Sequence, residues 1–261
     1  MAAGLRNGST ELHHVAGLYA VLDALRTEMP SVVVDNCAGG GESVDLEMLG
    51  RSIKKWRSDY DCTSDTVQHY AIANQVHTMA LSFFQPMNGG AVWVSETLCA
   101  NAKMPLAECH AYQWRSAATT GVAVQWDQRG DSLAMKNLSK LAALETKRLR
   151  PLILAGDMHL LTDINMSSSM WAGWQYHDAQ ARAGAVQLFR REGCVASTFT
   201  VALQNLEPGR LWDVSVYGGD GYAHTKTATM TTAELAALRV NVARAPGSAV
   251  VFYNQTDRVT T

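Results

Sequence analysis

The chain has 261 residues, 47% of them hydrophobic, which is enough for one large core or two modest ones and too apolar for intrinsic disorder. Its 22 Lys and Arg against 24 Asp and Glu give a formal charge of −2, so it offers no basic field to a nucleic-acid backbone. Residues 1–10 lack an apolar signal region and no stretch reaches the roughly 18 apolar residues of a membrane span, so a soluble cytoplasmic protein without membrane partners is expected.

A helix is predicted over residues 12–26, where Leu12, Val15, Leu18, Tyr19, Leu22 and Leu25 make one stripe to be buried, with Ser9 or Thr10 as cap and Pro30 beyond its end. Val32, Val33 and Val34 then give the continuous β-branched run of a strand covered on both faces, over residues 31–37. Gly39, Gly40 and Gly41 turn the chain, and Asp45 caps a helix with Glu47 in its first turn, carried by Leu46, Met48, Leu49 and Ile53 toward Trp56. A second strand is expected to end at Asp59. A third helix is predicted over residues 65–75, strands over 79–85 and 121–126 with an irregular segment between them, and a long helix over 132–150 stopped by Pro151.

This alternation predicts a parallel α/β layer over residues 1–155. From residue 156 the pattern changes to short alternating or aromatic-rich runs at 170–176, 185–189, 197–203, 211–217 and 249–253, divided by turn signals such as Glu207-Pro208-Gly209. An antiparallel β-sandwich is expected there. The five cysteines, Cys37, Cys62, Cys99, Cys109 and Cys194, are odd in number and contain no Cys-x-x-Cys, so they suggest reduced thiols rather than disulfides or zinc. His13, His14, His69 and His77 lack the spacing of a metal site, and no phosphate-binding glycine loop or serine-hydrolase elbow is present. No metal or cofactor is expected.

One run of motifs carries more information than the rest. Asp35-Asn36-Cys37-Ala38-Gly39-Gly40-Gly41, then Val44-Asp45-Leu46-Glu47, then Trp56-Arg57-Ser58-Asp59-Tyr60 resembles the acid/base segment of the glycoside hydrolases of family 36, the clan D α-galactosidases. Those enzymes carry Asn-Cys-Ala-Ser-Gly-Gly, Ile-Asp-Leu-Glu and Trp-Arg-Ser-Asp-Tyr in that order. The resemblance continues through Trp114-Arg115-Ser116, Trp126-Asp127, Arg148-Leu149-Arg150-Pro151, Gly156-Asp157, Trp171-Ala172-Gly173-Trp174 and Phe189-Arg190-Arg191. Glu42-Ser43 departs from it, because close relatives carry two arginines there.

The resemblance implies a fold and a chemistry. The family's catalytic domain is a (β/α)8 barrel with a nucleophile at the end of strand four, so residues 1–155 are expected to form a half (β/α) barrel, strands five to eight, and residues 156–261 the C-terminal β-sandwich. The implied activity is hydrolysis of galactosides by two carboxyl groups with retention of configuration. Asp59 resembles the acid/base, and Cys37, Gly40, Trp56 and Arg57 the substrate-binding positions. Half a barrel would expose strand edges and an apolar face, so a homo-oligomer completing the ring is expected. In it, Asp127 of a neighbouring copy would serve as nucleophile, with Asp35 or Asp61 as alternatives. Each residue also has a plainer reading: Asp59 as a cap or a salt-bridge partner of Arg57, Asp127 as a turn cap, Trp56 as core. The competing functions are an inactive relative with a sugar-binding or structural role and one subunit of a hetero-oligomeric glycosidase.

Overall fold

The computed structural model describes residues 8–53, 56–59 and 67–259. Its centre is a six-stranded antiparallel sheet in the order β3-β4-β5-β10-β7-β8, built from β3 (Asp157–Leu160), β4 (Trp171–Asp178), β5 (Ala183–Arg190), β7 (Arg210–Gly218), β8 (His224–Thr231) and β10 (Gly247–Val259). Period-two alternation sends successive side chains to opposite faces. On β10, Val250 and Phe252 therefore face one core, and Ala249, Val251 and Tyr253 face another. The second core is closed by the small sheet of β6 (Thr198–Thr200) and β9 (Arg239–Asn241) and by the short helix α8 (Thr232–Ala236).

The first core lies beneath helices. Helix α6 (Leu106–Ala117) packs against α4 (Val67–Leu81), α7 (Leu133–Ala155) and β10. Its residues from Cys109 to Ala117 are buried without a break, and several of the polar groups in this layer are hydrogen-bonded inside. Gln187 on β5 donates to the Arg115 carbonyl, the Trp114 indole donates to Thr146, and the Gln75 amide donates to Ser116. Arg191, wholly buried, donates to Gln75 Oε1 and to the carbonyls of Asn165 and Ser167, tying α4 to the sheet domain.

His110 sits in the same layer, its ring stacked on Trp114 and its nitrogens bonded to Tyr222 and Ser139. Burial pushes its pKa down to about 4. Because the folded value lies below the unfolded one, the neutral ring stabilises the fold above about pH 6.5, and that contribution is lost as pH falls toward 4. Unfolding free energy should fall over that window in urea titrations, and His110→Phe should flatten the change.

The sequence expectations meet several corrections. Residues 31–34 make no strand: Val32 and Val33 are exposed, and the only pairing is a parallel bridge between Asp35 and Ile53. Helix α3 spans only Leu46–Leu49 and ends at Gly50, although Asp45 caps it as expected by accepting from the Met48 N–H. Residues 79–85 belong to the end of α4 and a turn, not to a strand. The segment read as irregular holds β1 (Gly90–Val92), α5 (Glu96–Asn101) and α6, and β1 pairs in parallel with β2 (Val122–Val124). Helix α1 (Ser9–Glu28) starts from Gly8 without a side-chain cap and buries no residue fully. Pro151 lies inside α7, which continues to Ala155 because Leu149 and Ile153 on either side are core residues.

Cys99 and Cys109 form a disulfide joining α5 to α6, which overturns the expectation of reduced thiols throughout. Both are buried, and the bridge lies in the core beside Tyr112 and Met104. Alkylation of the denatured chain, followed by intact mass, should add two more labels after reduction than before. Equal labelling would contradict the pairing. No helix among the described residues is long and apolar enough to cross a membrane.

Candidate active site

Two segments meet around Asp59. The first is the helical turn α2 (Ala38–Gly41), in which Gly39 and Gly40 have φ of 62° and 67° and Gly41 has φ of 125°. Only glycine takes such a run of left-handed conformations without strain. The second is the piece 56–59. A Cβ placed on Gly40 would stand 2.3 Å from the Asp59 Cγ, N and Oδ1, and one on Gly41 would stand 2.8 Å from the Arg57 carbonyl oxygen. The glycine backbone thus lies directly on the aspartate.

The carboxylate is held from a second side by the Trp56 indole, whose Nε1 donates to Asp59 Oδ1 at 2.8 Å. Arg57 turns the other way. It is buried at 4% exposure, and its guanidinium donates to Thr78 Oγ1, Asn88 Oδ1, the Asn74 carbonyl and Asn74 Oδ1 over 2.7–2.9 Å. Gly90 makes room for this cluster, since a Cβ there would meet Asn74 Oδ1 at 2.4 Å. Both terminal nitrogens of Arg57, expected at the substrate, are bonded to α4 and to the turn before β1, so the residue anchors this segment. Sequence reading missed Asn74, Thr78 and Asn88. Asn74 and Thr78 lie one helical turn apart on α4, and Asn88 stands just before Gly89 and Gly90.

Cys37 is exposed beside the turn, its carbonyl accepting from the Gly41 N–H. Ser43 donates to Asn36 Oδ1 at 2.8 Å and so braces the turn. Asp35 is exposed at the bridge to Ile53, on the same segment as Cys37. Asp127 is elsewhere engaged: Arg129 grips both its oxygens, with Nη2 to Oδ2 at 2.6 Å, and it caps the turn that follows by accepting from the Arg129 N–H. That arginine holds its carboxyl below the usual range. Its position as a capping residue is thus the plainer of its two readings. Asp61 and Tyr60 lie outside the described residues, as do His69's side chain and Cys62. No three His, Cys, Asp or Glu side chains among the described residues gather as a metal site would require.

Replacing Gly40 with alanine is expected to cost about 1–3 kcal/mol, since the new methyl must displace Asp59 and a side chain must accept a left-handed φ. Urea unfolding of Gly40→Ala measures it, and wild-type stability would contradict this packing.

Comparison with known proteins bears on the same residues. A family model described as Melibiase matches residues 3–95, the stretch that holds the glycine turn and Asp59. Over those residues and beyond, the chain is similar to α-galactosidases. "Alpha-galactosidase 1" of Pediococcus pentosaceus is 24% identical over 220 residues, covering 82% of this chain and 28% of the relative. "Probable alpha-galactosidase C" of Aspergillus terreus is 25% identical over 250 residues, covering 95% of this chain and 30% of the relative. Among solved structures, the family 36 α-galactosidase AgaA of Geobacillus stearothermophilus in complex with raffinose superposes with a TM-score of 0.68 at 17% identity, over 92% of this chain and 31% of that one. The α-galactosidase of Lactobacillus brevis gives 0.70 at 16% identity, over 98% and 33%. The fold is therefore that of part of a family 36 enzyme. The chain spans about a third of the length of these α-galactosidases.

Proposed function

We propose that the chain carries the acid/base half of a galactoside-cleaving site, with Asp59 as the group that protonates the leaving oxygen and later deprotonates water. The observation that carries this reading is the seat of Asp59, pressed against a left-handed glycine turn and hydrogen-bonded by an indole, on the stretch the family model matches. Cys37 stands exposed beside the turn, where a small thiol would let a sugar come close. The substrate class follows from the relatives' names, and retention from the two-carboxylate chemistry of the family.

The second carboxylate comes from a surface that covers the apolar residues around the Asp35–Ile53 bridge. Val32, Val33 and, on α1, Leu12 and Val21 are exposed, and burying such residues contributes about 1.5–3 kcal/mol each. That cover is further polypeptide, either more of a family-length protein or a second copy of the chain, and in the second case Asp127 or Asp35 of one copy faces Asp59 of the other. The Arg129 grip on Asp127 favours a second reading, a family member that binds a sugar without cleaving it.

The test is an assay on nitrophenyl α- and β-galactosides with wild type, Asp59→Asn, Asp127→Asn and Asp35→Asn, with the mass in solution measured alongside. Loss in Asp59→Asn and in one other variant, in an oligomer, is the expected result. Undiminished hydrolysis by Asp59→Asn removes the assignment, a monomer removes the shared ring, and binding of galactose without hydrolysis selects the second reading.

A further inference from the structure

We infer that Trp56 is the positioning residue of this acid/base group, fixing Asp59 Oδ1 as the accepting oxygen so that the transferable proton travels on Oδ2. The inference rests on the reading of Asp59 given above. An indole N–H donates and never accepts, so the 2.8 Å contact from Trp56 Nε1 occupies a lone pair of Oδ1 in either protonation state. Oδ1 is also the carboxylate oxygen against which the Gly40 backbone is pressed. One oxygen therefore faces the protein and is committed to an acceptor role. A donor held on one oxygen biases the carboxyl toward one orientation, and a general acid must be aimed before it can be strong.

The steps balance without a further reactant. In the first, the Oδ2–H bond breaks and its proton moves to the glycosidic oxygen. The C1–O electron pair leaves with that oxygen while the second carboxylate bonds to C1. In the second, water attacks C1, its proton passes to Oδ2, and the C1–carboxylate bond breaks. The indole keeps its hydrogen bond to Oδ1 throughout, charge-assisted when Asp59 is ionised and neutral when it is protonated.

The guanidinium of Arg57 points away into α4, while its carbonyl oxygen abuts Gly41. The Glu42 carboxylate packs on Gly39 at the far end of the glycine turn. Trp56 is itself half-buried, so its ring is braced while its N–H is directed at the aspartate.

Leaving-group dependence separates a positioning role from a sugar-stacking or merely structural one, because assistance by an acid matters in proportion to the basicity of the departing oxygen. Trp56→Phe keeps a ring and removes the donor. It is expected to lower kcat/KM about 10–100-fold on an alkyl galactoside and less than about threefold on a dinitrophenyl galactoside. Equal losses on both, or none on either, overturn the inference. Should Asp59→Asn itself show no leaving-group dependence, the acid/base reading is what fails. A second arm needs no turnover. The ¹⁵N indole resonance missing from Trp56→Phe should shift with pH as a carboxyl titrates in the wild type and stop shifting in Asp59→Asn. A resonance indifferent to Asp59→Asn overturns the inference whatever the assays give.

Discussion

Glu145→Ala is expected to lower the unfolding free energy by about 3–5 kcal/mol, the cost of stranding a buried charge. Arg115 on α6 has a side chain with no solvent exposure, and Glu145 on α7 takes both its Nε and Nη2 at 2.7 Å. Burial opposes the charge on Arg115, and Glu145 more than offsets it, so the guanidinium is held above its ordinary pKa. The same group donates to the Ser248 carbonyl on β10 and lies over the Tyr222 ring. It thus joins two helices to the central sheet. Removing Glu145 leaves the cation in place without its counterion, whereas Arg115→Met with Glu145→Leu removes both charges and should cost much less. Urea unfolding of the two variants measures the difference. A loss below about 1 kcal/mol for Glu145→Ala would show that the pair is not holding the layers together.

The second large effect is chemical. Asp59→Asn should reduce kcat/KM on galactosides with basic leaving groups by about 10²–10⁴-fold, which is about 2.7–5.4 kcal/mol of transition-state stabilisation. Stability should stay within about 0.5 kcal/mol of wild type, because Asp59 is exposed and the amide still accepts from the Trp56 indole. Activity and stability therefore move independently at this position, and the reverse holds at Glu145. Measuring both quantities on both variants separates the machinery from its frame.

The sheet region was legible in the sequence because it follows the simplest rule. Trp171, Phe189, Val214 and Val251 sit in alternating runs bounded by glycine, proline and asparagine turns, and each run became a strand. Helix α6 was hidden for the opposite reason. Its buried stretch carries His110, Gln113, Arg115 and Ser116 where a core helix would ordinarily carry leucines, so burial left no apolar run to read. Strand β1, three residues long between a turn and Trp93, is too short to leave a period. The error at residues 32–34 is of another kind, since a β-branched run reports a demand for cover and not whether the described chain supplies it. Pro151 misled because the about 3 kcal/mol that proline costs a helix interior is outweighed where Leu149 and Ile153 lock the last turns against the sheet.

At the site, the motif order located Asp59, Gly40 and Trp56 together, and the structure brings those three into contact. It misassigned Arg57, whose neighbour in sequence, Asp59, is not its partner among the bonds that bury its guanidinium.

Azide rescue of Asp59→Asn on a dinitrophenyl galactoside tests the assignment of Asp59 most directly. An activated leaving group needs no proton to form the glycosyl intermediate, and azide, unlike water, needs no base to discharge it. The account predicts that azide restores turnover of Asp59→Asn and yields a galactosyl azide of retained configuration, with no such product from wild type. Wild-type hydrolysis by Asp59→Asn without azide, or an inverted galactosyl azide, would contradict it.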